Sequence, residues 1–232
     1  MRVFVLTGAG VSAESGLGTF RDKGGVWSMY DLREVATPEG FARDPGKVHA
    51  FYNMRRKVHR DAQPNAAHAA LARLERELPM RDGRLTLVTQ NVDKLHEMGG
   101  HADVIHMHGE AMKVRCNPCG HVEPWEGDLT VQHACGACGR AGGLRPDVVW
   151  FGETPMHMDR IYEELHQADL FVAIGTSGTV YPAAGFVAEA RGRGIPTLEI
   201  NLEPTDSASV FDDHLYGPAT EAVPAWVDRL LA

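Results

Sequence analysis

The sequence has no hydrophobic run approaching the roughly 20 residues of a membrane span, and it contains no internal repeat or low-complexity tract. Its first ten residues, MRVFVLTGAG, pass straight into an apolar stretch with no signal-peptide cleavage region behind it. These absences predict a cytoplasmic protein with no membrane partner. Positive charge is also in short supply: 23 Lys plus Arg face 31 Asp plus Glu, giving a net charge of −8. Broad electrostatic capture of nucleic acid is therefore disfavoured, no direct nucleic-acid partner is expected, and the chain is read as a monomer. Cysteine is scarce, with four in 232 residues. All four fall in two Cys-x-x-Cys pairs, Cys116/Cys119 and Cys135/Cys138, with 15 residues between the pairs. Without a secretory signal, that is metal spacing before it is disulfide spacing.

What is present is an ordinary globular composition, 44% hydrophobic and 23% charged, on a chain long enough for a proper core. RVFVLTGAG reads as a buried strand of the parallel type ending in a glycine turn. RLTLVTQNVD, DVIHMHG, DLFVAIGTS and IPTLEINLEP read as further strands. Between them lie helical stretches such as NAAHAALARLERELP, MDRIYEELHQA and YPAAGFVAEARGRG, with a final helix from about Pro224. This alternation predicts an α/β fold: a Rossmann-like, doubly wound parallel sheet with a smaller inserted zinc-binding Cys₄ ribbon and a helical module. The Rossmann-like part is assigned to about 1–30, 62–112 and 146–232, the helical insertion to about 31–61 and the zinc module to about 113–145. In such a sheet the ligand crevice lies at the carboxyl ends of the strands. Small or polar residues stand at nearly every one of those ends, which points to one polar, phosphate-bearing ligand.

The motifs carry the chemistry. TGAGVSA fits G-x-G-x-x-A after a strand, where glycines let backbone N–H groups approach a pyrophosphate at a helix N-terminus. The acidic residue that a dehydrogenase fingerprint needs about 20 positions on is missing; a glycine-rich loop stands there instead. The four cysteines fit a closed tetrahedral zinc site, structural because no coordination position stays open. His106 and His108 alternate along a predicted strand; His108, followed by Gly109, is the better candidate for a general base. Asn91 and Asp93 suit either an Asx-type turn or hydrogen bonds to sugar and amide groups. In VHAFYNMRRKVHR, Val48, Phe51, Arg55 and Val58 fall on one helical face, with Asp44 as cap and Pro45 at the first position. Arg55 stands where an apolar residue is expected, with Tyr52 beside it. It either reads an anion or lays its stem on the core and reaches out to water.

Taken in order, GAGVSAESGLGTFRDKGGVW, TQNVDKLH, HMHGE, the two cysteine pairs, VVWFGE, GTSGTVYPAA and INLEP resemble the sirtuin family of NAD-dependent protein-lysine deacylases over essentially the whole chain. The resemblance implies a single catalytic domain that consumes NAD and removes acyl groups from lysine in protein or peptide substrates. The acyl oxygen would attack the anomeric carbon to give an alkylimidate, and nicotinamide and O-acyl-ADP-ribose would be released. By position, His108 matches the catalytic base. Gly8, Ala9, Gly10 and Glu14 match the phosphate and ribose turn, and Thr19, Phe20, Arg21 and Trp27 the cofactor loop. Gln90, Asn91 and Asp93 match the ribose and nicotinamide contacts; Gly175, Thr176, Ser177, Asn201, Leu202, Glu203 and Ala219 match the adenosine side. Val149, Phe151 and Gly152 match the edge where the acyl-lysine peptide adds as a strand, and one Zn²⁺ matches the family's structural module. Tyr52 and Arg55 match the pair with which one branch of the family recognises succinyl-, malonyl- or glutaryl-lysine. The alternative is an NAD- or ADP-ribose-binding regulator, or a protein ADP-ribosyltransferase, with a structural zinc ribbon.

Overall fold

A computed structural model describes residues 1–19 and 30–232. Among the described residues the strands are, in chain order, β1 (Arg2–Thr7), β2 (Arg84–Thr89), β3 (Val104–His106), β4 (Gly109–Cys116), β5 (Val122–Pro124), β6 (Leu144–Val148), β7 (Leu170–Ile174), β8 (Thr197–Asn201) and β9 (Asp213–Tyr216). The α-helices of the described residues are α1 (Leu32–Val35), α2 (Pro38–Arg43), α3 (Pro45–Asp61), α4 (Ala66–Glu77), α5 (Leu95–Met98), α6 (Met158–His166), α7 (Phe186–Gly192) and α8 (Ala219–Leu231).

Six strands make one parallel sheet in the order β3-β2-β1-β7-β8-β9. The chain builds outward from β1 in one direction, then returns to build outward in the other. The strand order therefore reverses between β1 and β7, and in sheets of this kind ligands bind at the carboxyl ends beside that reversal. β1 suits its central place by being apolar on both faces. Val3 and Val5 enter a core shared with α4 and α8, whereas Phe4 and Leu6 enter a second core shared with α6 and α7. The sequence pattern shows little of β9. Its residues DHLY are mostly exposed and only four long, so no buried alternation marks them.

The remaining strands form a separate antiparallel sheet, β5-β4-β6. It runs from Gly109 to Val148 and so reaches beyond the cysteine-rich stretch at both ends. The two sheets part at Met107–His108, where the chain turns instead of continuing as one strand, so His106 and His108 do not alternate along a strand as expected. Gly109 makes the turn possible. Its φ is +77°, and a Cβ there would stand 2.1 Å from the Asp147 carbonyl.

α3 begins as its sequence requires, with the Asp44 carboxylate accepting from the Lys47 amide and Pro45 in the first turn. Its buried face differs from the expected stripe. Val48, Phe51 and Tyr52 pack with Val35, Phe41 and Trp150, but Val58 is 44% exposed and Arg56 only 1%. Arg56 is tolerated because it donates to the Ala111 carbonyl and to Asn53. The last helix also departs from expectation. It starts at Ala219, with Pro224 inside it, instead of at Pro224. Glu14 fixes the early start by accepting from both the amide and the hydroxyl of Thr220. Burial of Ala222, Val223, Trp226 and Val227 offsets the one backbone bond that proline removes.

Candidate active site

The loops after β1 and β7 are interlocked. The Gly8 amide donates to Ile174 and the Gly10 amide to Gly175. A Cβ on Gly10 would sit 2.7 Å from the Gly175 Cα, so only glycine permits this approach. Beyond Gly8 the chain does not enter the helix N-terminus that the fingerprint suggests. It forms a pair of short 3₁₀ turns, Ala9–Val11 and Ala13–Ser15, closed by Gly16 in the left-handed region. Thr176 then gathers the neighbouring strand ends, its hydroxyl accepting from Gln90 at 2.9 Å and its carbonyl from Asn201 at 2.8 Å. Ala9, Thr19 and Ser177 are half-buried along this rim, and Leu202 and Glu203 are exposed at its far end. Glu14 and Ala219 are brought together through Thr220. Phe20, Arg21 and Trp27 lie outside the described residues.

On the β2 side the site is a buried polar network. Asn91 donates to the Gly8 carbonyl and to Ser12, and the Ser12 hydroxyl donates to Asp93 at 3.1 Å. Asp93 also accepts from the Leu95 amide, and burial pushes its carboxyl above the usual range against these two donors. Behind Ser12 stands His68, which burial lowers to about 4 and which therefore stays neutral. Sequence reasoning singled out Asn91 and Asp93 but missed Ser12 and His68. Ser12 lies inside the quoted glycine motif, yet nothing local marks its partner 81 residues away.

His108 sits in the turn between the sheets. Its Nδ1 lies 3.0 Å from the Gln90 carbonyl. A carbonyl can only accept, so Nδ1 carries the proton and Nε2 keeps its lone pair. Burial lowers the pKa of His108, opposed by the Gln90 carbonyl, so the ring is neutral and basic near neutral pH. The segment carrying Gln90 is held at three successive carbonyls: Gln90 by His108, Asn91 by His106 and Val92 by the Ala111 amide. His106 pairs with Glu97 at 2.6 Å, and nearby Glu110 pairs with Lys113, so these four charges balance.

The Val149 amide donates to the His108 carbonyl at 2.9 Å. The Phe151 amide donates to Ala36, its ring half-exposed, and Gly152 turns with φ +90°. This joins the 149–152 segment to His108 on one side and the helical module on the other. Tyr52, buried on that module, receives the Trp150 indole N–H at 3.0 Å. Arg55 lies one turn on. Burial lowers its pKa, while Tyr52 and Asp93 pull it back up, which places the guanidinium within the field of both.

The four cysteines converge in the small sheet. Cys116 and Cys138 sulfurs are 3.7 Å apart, as are those of Cys119 and Cys135, and all four lie within 4.8 Å of one another. A tetrahedron with Zn–S bonds of about 2.3 Å has edges of about 3.8 Å, so the donor set fits one Zn²⁺ that closes both knuckles. Each knuckle is shaped by a glycine with positive φ, Gly120 and Gly139, whose amides return to Cys116 and Cys135. Val114, Leu129 and Leu144 are the only other fully buried residues of this cluster among those described, too small a core to stand alone. Zinc can add on the order of 10 kcal/mol to such a segment. Chelation is expected to open Gly109–Val148 to protease while the far-UV signal of the parallel sheet persists. Undiminished protection after complete metal loss would show that the segment does not depend on it.

A doubly wound sheet with polar loops gathered at its switch point, a neutral histidine among them and a four-cysteine module alongside, defines an NAD-type α/β protein with a structural zinc site. The chain belongs to the Sir2 family, whose profile matches residues 8–182. An NAD-dependent protein deacylase of Caulobacter vibrioides is 65% identical over 232 residues, 100% of this chain and 98% of that protein. One from Escherichia coli K12 is 55% identical over 232 residues, 99% of this chain and 82% of that protein. A solved Sir2 homologue in complex with NAD matches with a TM-score of 0.88 at 41% identity, over 100% of this chain and 91% of that one. Sir2Tm bound to a propionylated peptide matches with a TM-score of 0.77 at 26% identity, over 99% and 91%. Among the described residues no helix is long and apolar enough to cross a membrane.

Proposed function

We propose that this protein is an NAD-dependent protein-lysine deacylase that accepts acetyl-lysine and, through Tyr52 and Arg55, acidic acyl groups such as succinyl, malonyl and glutaryl. The observation carrying this reading is His108, a neutral imidazole whose Nδ1–H is engaged by the Gln90 carbonyl at 3.0 Å, leaving the Nε2 lone pair as the basic site. When bound, NAD supplies an anomeric carbon that loses nicotinamide and receives the acyl oxygen. The glycine turns at Gly8–Gly10 and Gly175, interlocked through their own amides and packed too closely for side chains, form the floor on which the pyrophosphate lies. Asn91 and Asp93, stiffened by Ser12, hold the nicotinamide and ribose end, and the Asn201–Glu203 stretch holds the adenosine end. His108 takes a proton from a ribose hydroxyl. The 149–152 segment lines up the peptide. The deprotonated hydroxyl attacks the imidate carbon, one water completes the release of free lysine, and the products are lysine, nicotinamide and O-acyl-ADP-ribose. The protein works in the cytoplasm as a monomer.

Nicotinamide release from NAD is expected to depend on added acyl-lysine peptide, with the acyl group recovered on ADP-ribose. No nicotinamide release would favour a binding regulator, and ADP-ribose label left on protein would favour an ADP-ribosyltransferase. The relatives from Caulobacter vibrioides and Escherichia coli lend support, since both carry the deacylase description.

A further inference from the structure

Tyr52 contains a donor that the fold leaves unused. An indole N–H can only donate, so in the 3.0 Å contact between Trp150 Nε1 and the Tyr52 hydroxyl the tyrosine oxygen is the acceptor. The single phenolic proton must then point away from Trp150. Among the described residues nothing else hydrogen-bonds that hydroxyl, and Tyr52 is only 4% exposed. A buried donor without an acceptor is costly, and a ligand oxygen is the direct remedy.

Trp150 is itself locked. The Arg145 guanidinium stacks on its ring, 3.3 Å from the centroid. Arg145 in turn makes a forked pair with Glu153 at 2.6 and 2.9 Å and a bond to the Val148 carbonyl. The same Glu153 carboxylate accepts from the Trp150 backbone amide at 2.8 Å. Phe41 packs against the ring at 5.4 Å between centroids. Ring, amide and stacking cation are all fixed, so the indole N–H has one direction.

We infer that Trp150 is a positioning residue for acyl specificity: its N–H fills the acceptor side of the Tyr52 hydroxyl and so aims the phenolic proton at an oxygen-bearing acyl terminus. This rests on the reading of Tyr52 and Arg55 as the acyl-recognising pair. Burial keeps the phenol protonated, with Arg55 and Trp150 acting against it, so the donor is present at neutral pH. A methyl-ended acyl group offers this proton nothing. A carboxylate oxygen gives it the acceptor it lacks.

The test compares kcat/KM for succinyl- and acetyl-lysine peptides in the zinc-loaded, full-length protein. Trp150→Phe is expected to lower the succinyl-to-acetyl ratio about tenfold, the scale of one lost hydrogen bond. Added to Tyr52→Phe, it should lower the ratio no further, because the hydroxyl it orients is already gone. Benzothienylalanine at position 150 keeps the bicyclic shape and replaces only the N–H, so it should reproduce the effect even if the phenylalanine variant is unstable. An unchanged ratio with benzothienylalanine, or full additivity with Tyr52→Phe, would overturn the inference. If Tyr52→Phe alone left the ratio unchanged, the acyl-recognition reading itself would fail, a distinct outcome.

Discussion

His108→Tyr is expected to abolish turnover of acetyl- and succinyl-lysine peptides alike while leaving the fold intact. The fold is spared because the side chain makes a single hydrogen bond, to a carbonyl in a loop held at two further points. Loss of that bond costs only about 1 kcal/mol. The chemistry has no such reserve. A tyrosine near its ordinary pKa of about 10 is protonated at neutral pH and cannot replace a neutral imidazole as base, so the loss should reach roughly 10²–10⁴-fold. In the unsubstituted protein the lowered pKa of His108 is expected to set the acid limb of the pH profile. The free base persists as pH falls below the ordinary histidine value and is lost only as pH falls through the lowered one. Steady-state rates of both substrates across pH check this, with the thermal transition as control. Substantial deacylation by the folded variant would mean that the base is elsewhere.

Arg55→Met should lower kcat/KM for succinyl-lysine far more than for acetyl-lysine. A hydrogen bond to a charged group contributes about 1.5–3 kcal/mol, so the selective loss should be about 10- to 100-fold. Methionine keeps most of the stem that lies near Phe51, where the guanidinium carbon is 6.0 Å from the ring centroid. The selective loss should therefore report the carboxylate contact and not a packing defect. Arg55 also lies within the field of Asp93, so KM for NAD is the second readout. Equal losses on both peptides, or a loss confined to KM for NAD, would defeat the assignment to acyl recognition.

Much of this site can be read from local pattern. Strand ends announce themselves because an apolar run stops at small or polar residues, as at Gly8, Gln90 and Gly175. The cysteine pairs announce themselves by spacing, and α3 by its Asp44–Pro45 start. What stays hidden is long-range or geometrically special. Trp150 meets Tyr52 across 98 residues and Ser12 meets Asp93 across 81, and no periodicity links such positions. Arg56 looks like one more basic residue in a basic stretch, yet it is the arginine that α3 buries most deeply. The start of α8 is hidden because proline is a strong local stop signal. Here the tertiary anchor at Glu14 overrides it.

The position of His108 between two backbone contacts has a thermodynamic consequence. Its ring is held from the Gln90 side and its carbonyl receives the Val149 amide. The ordering entropy of this imidazole is therefore lost once, when the chain folds, and would not be lost again in each cycle of the proposed reaction.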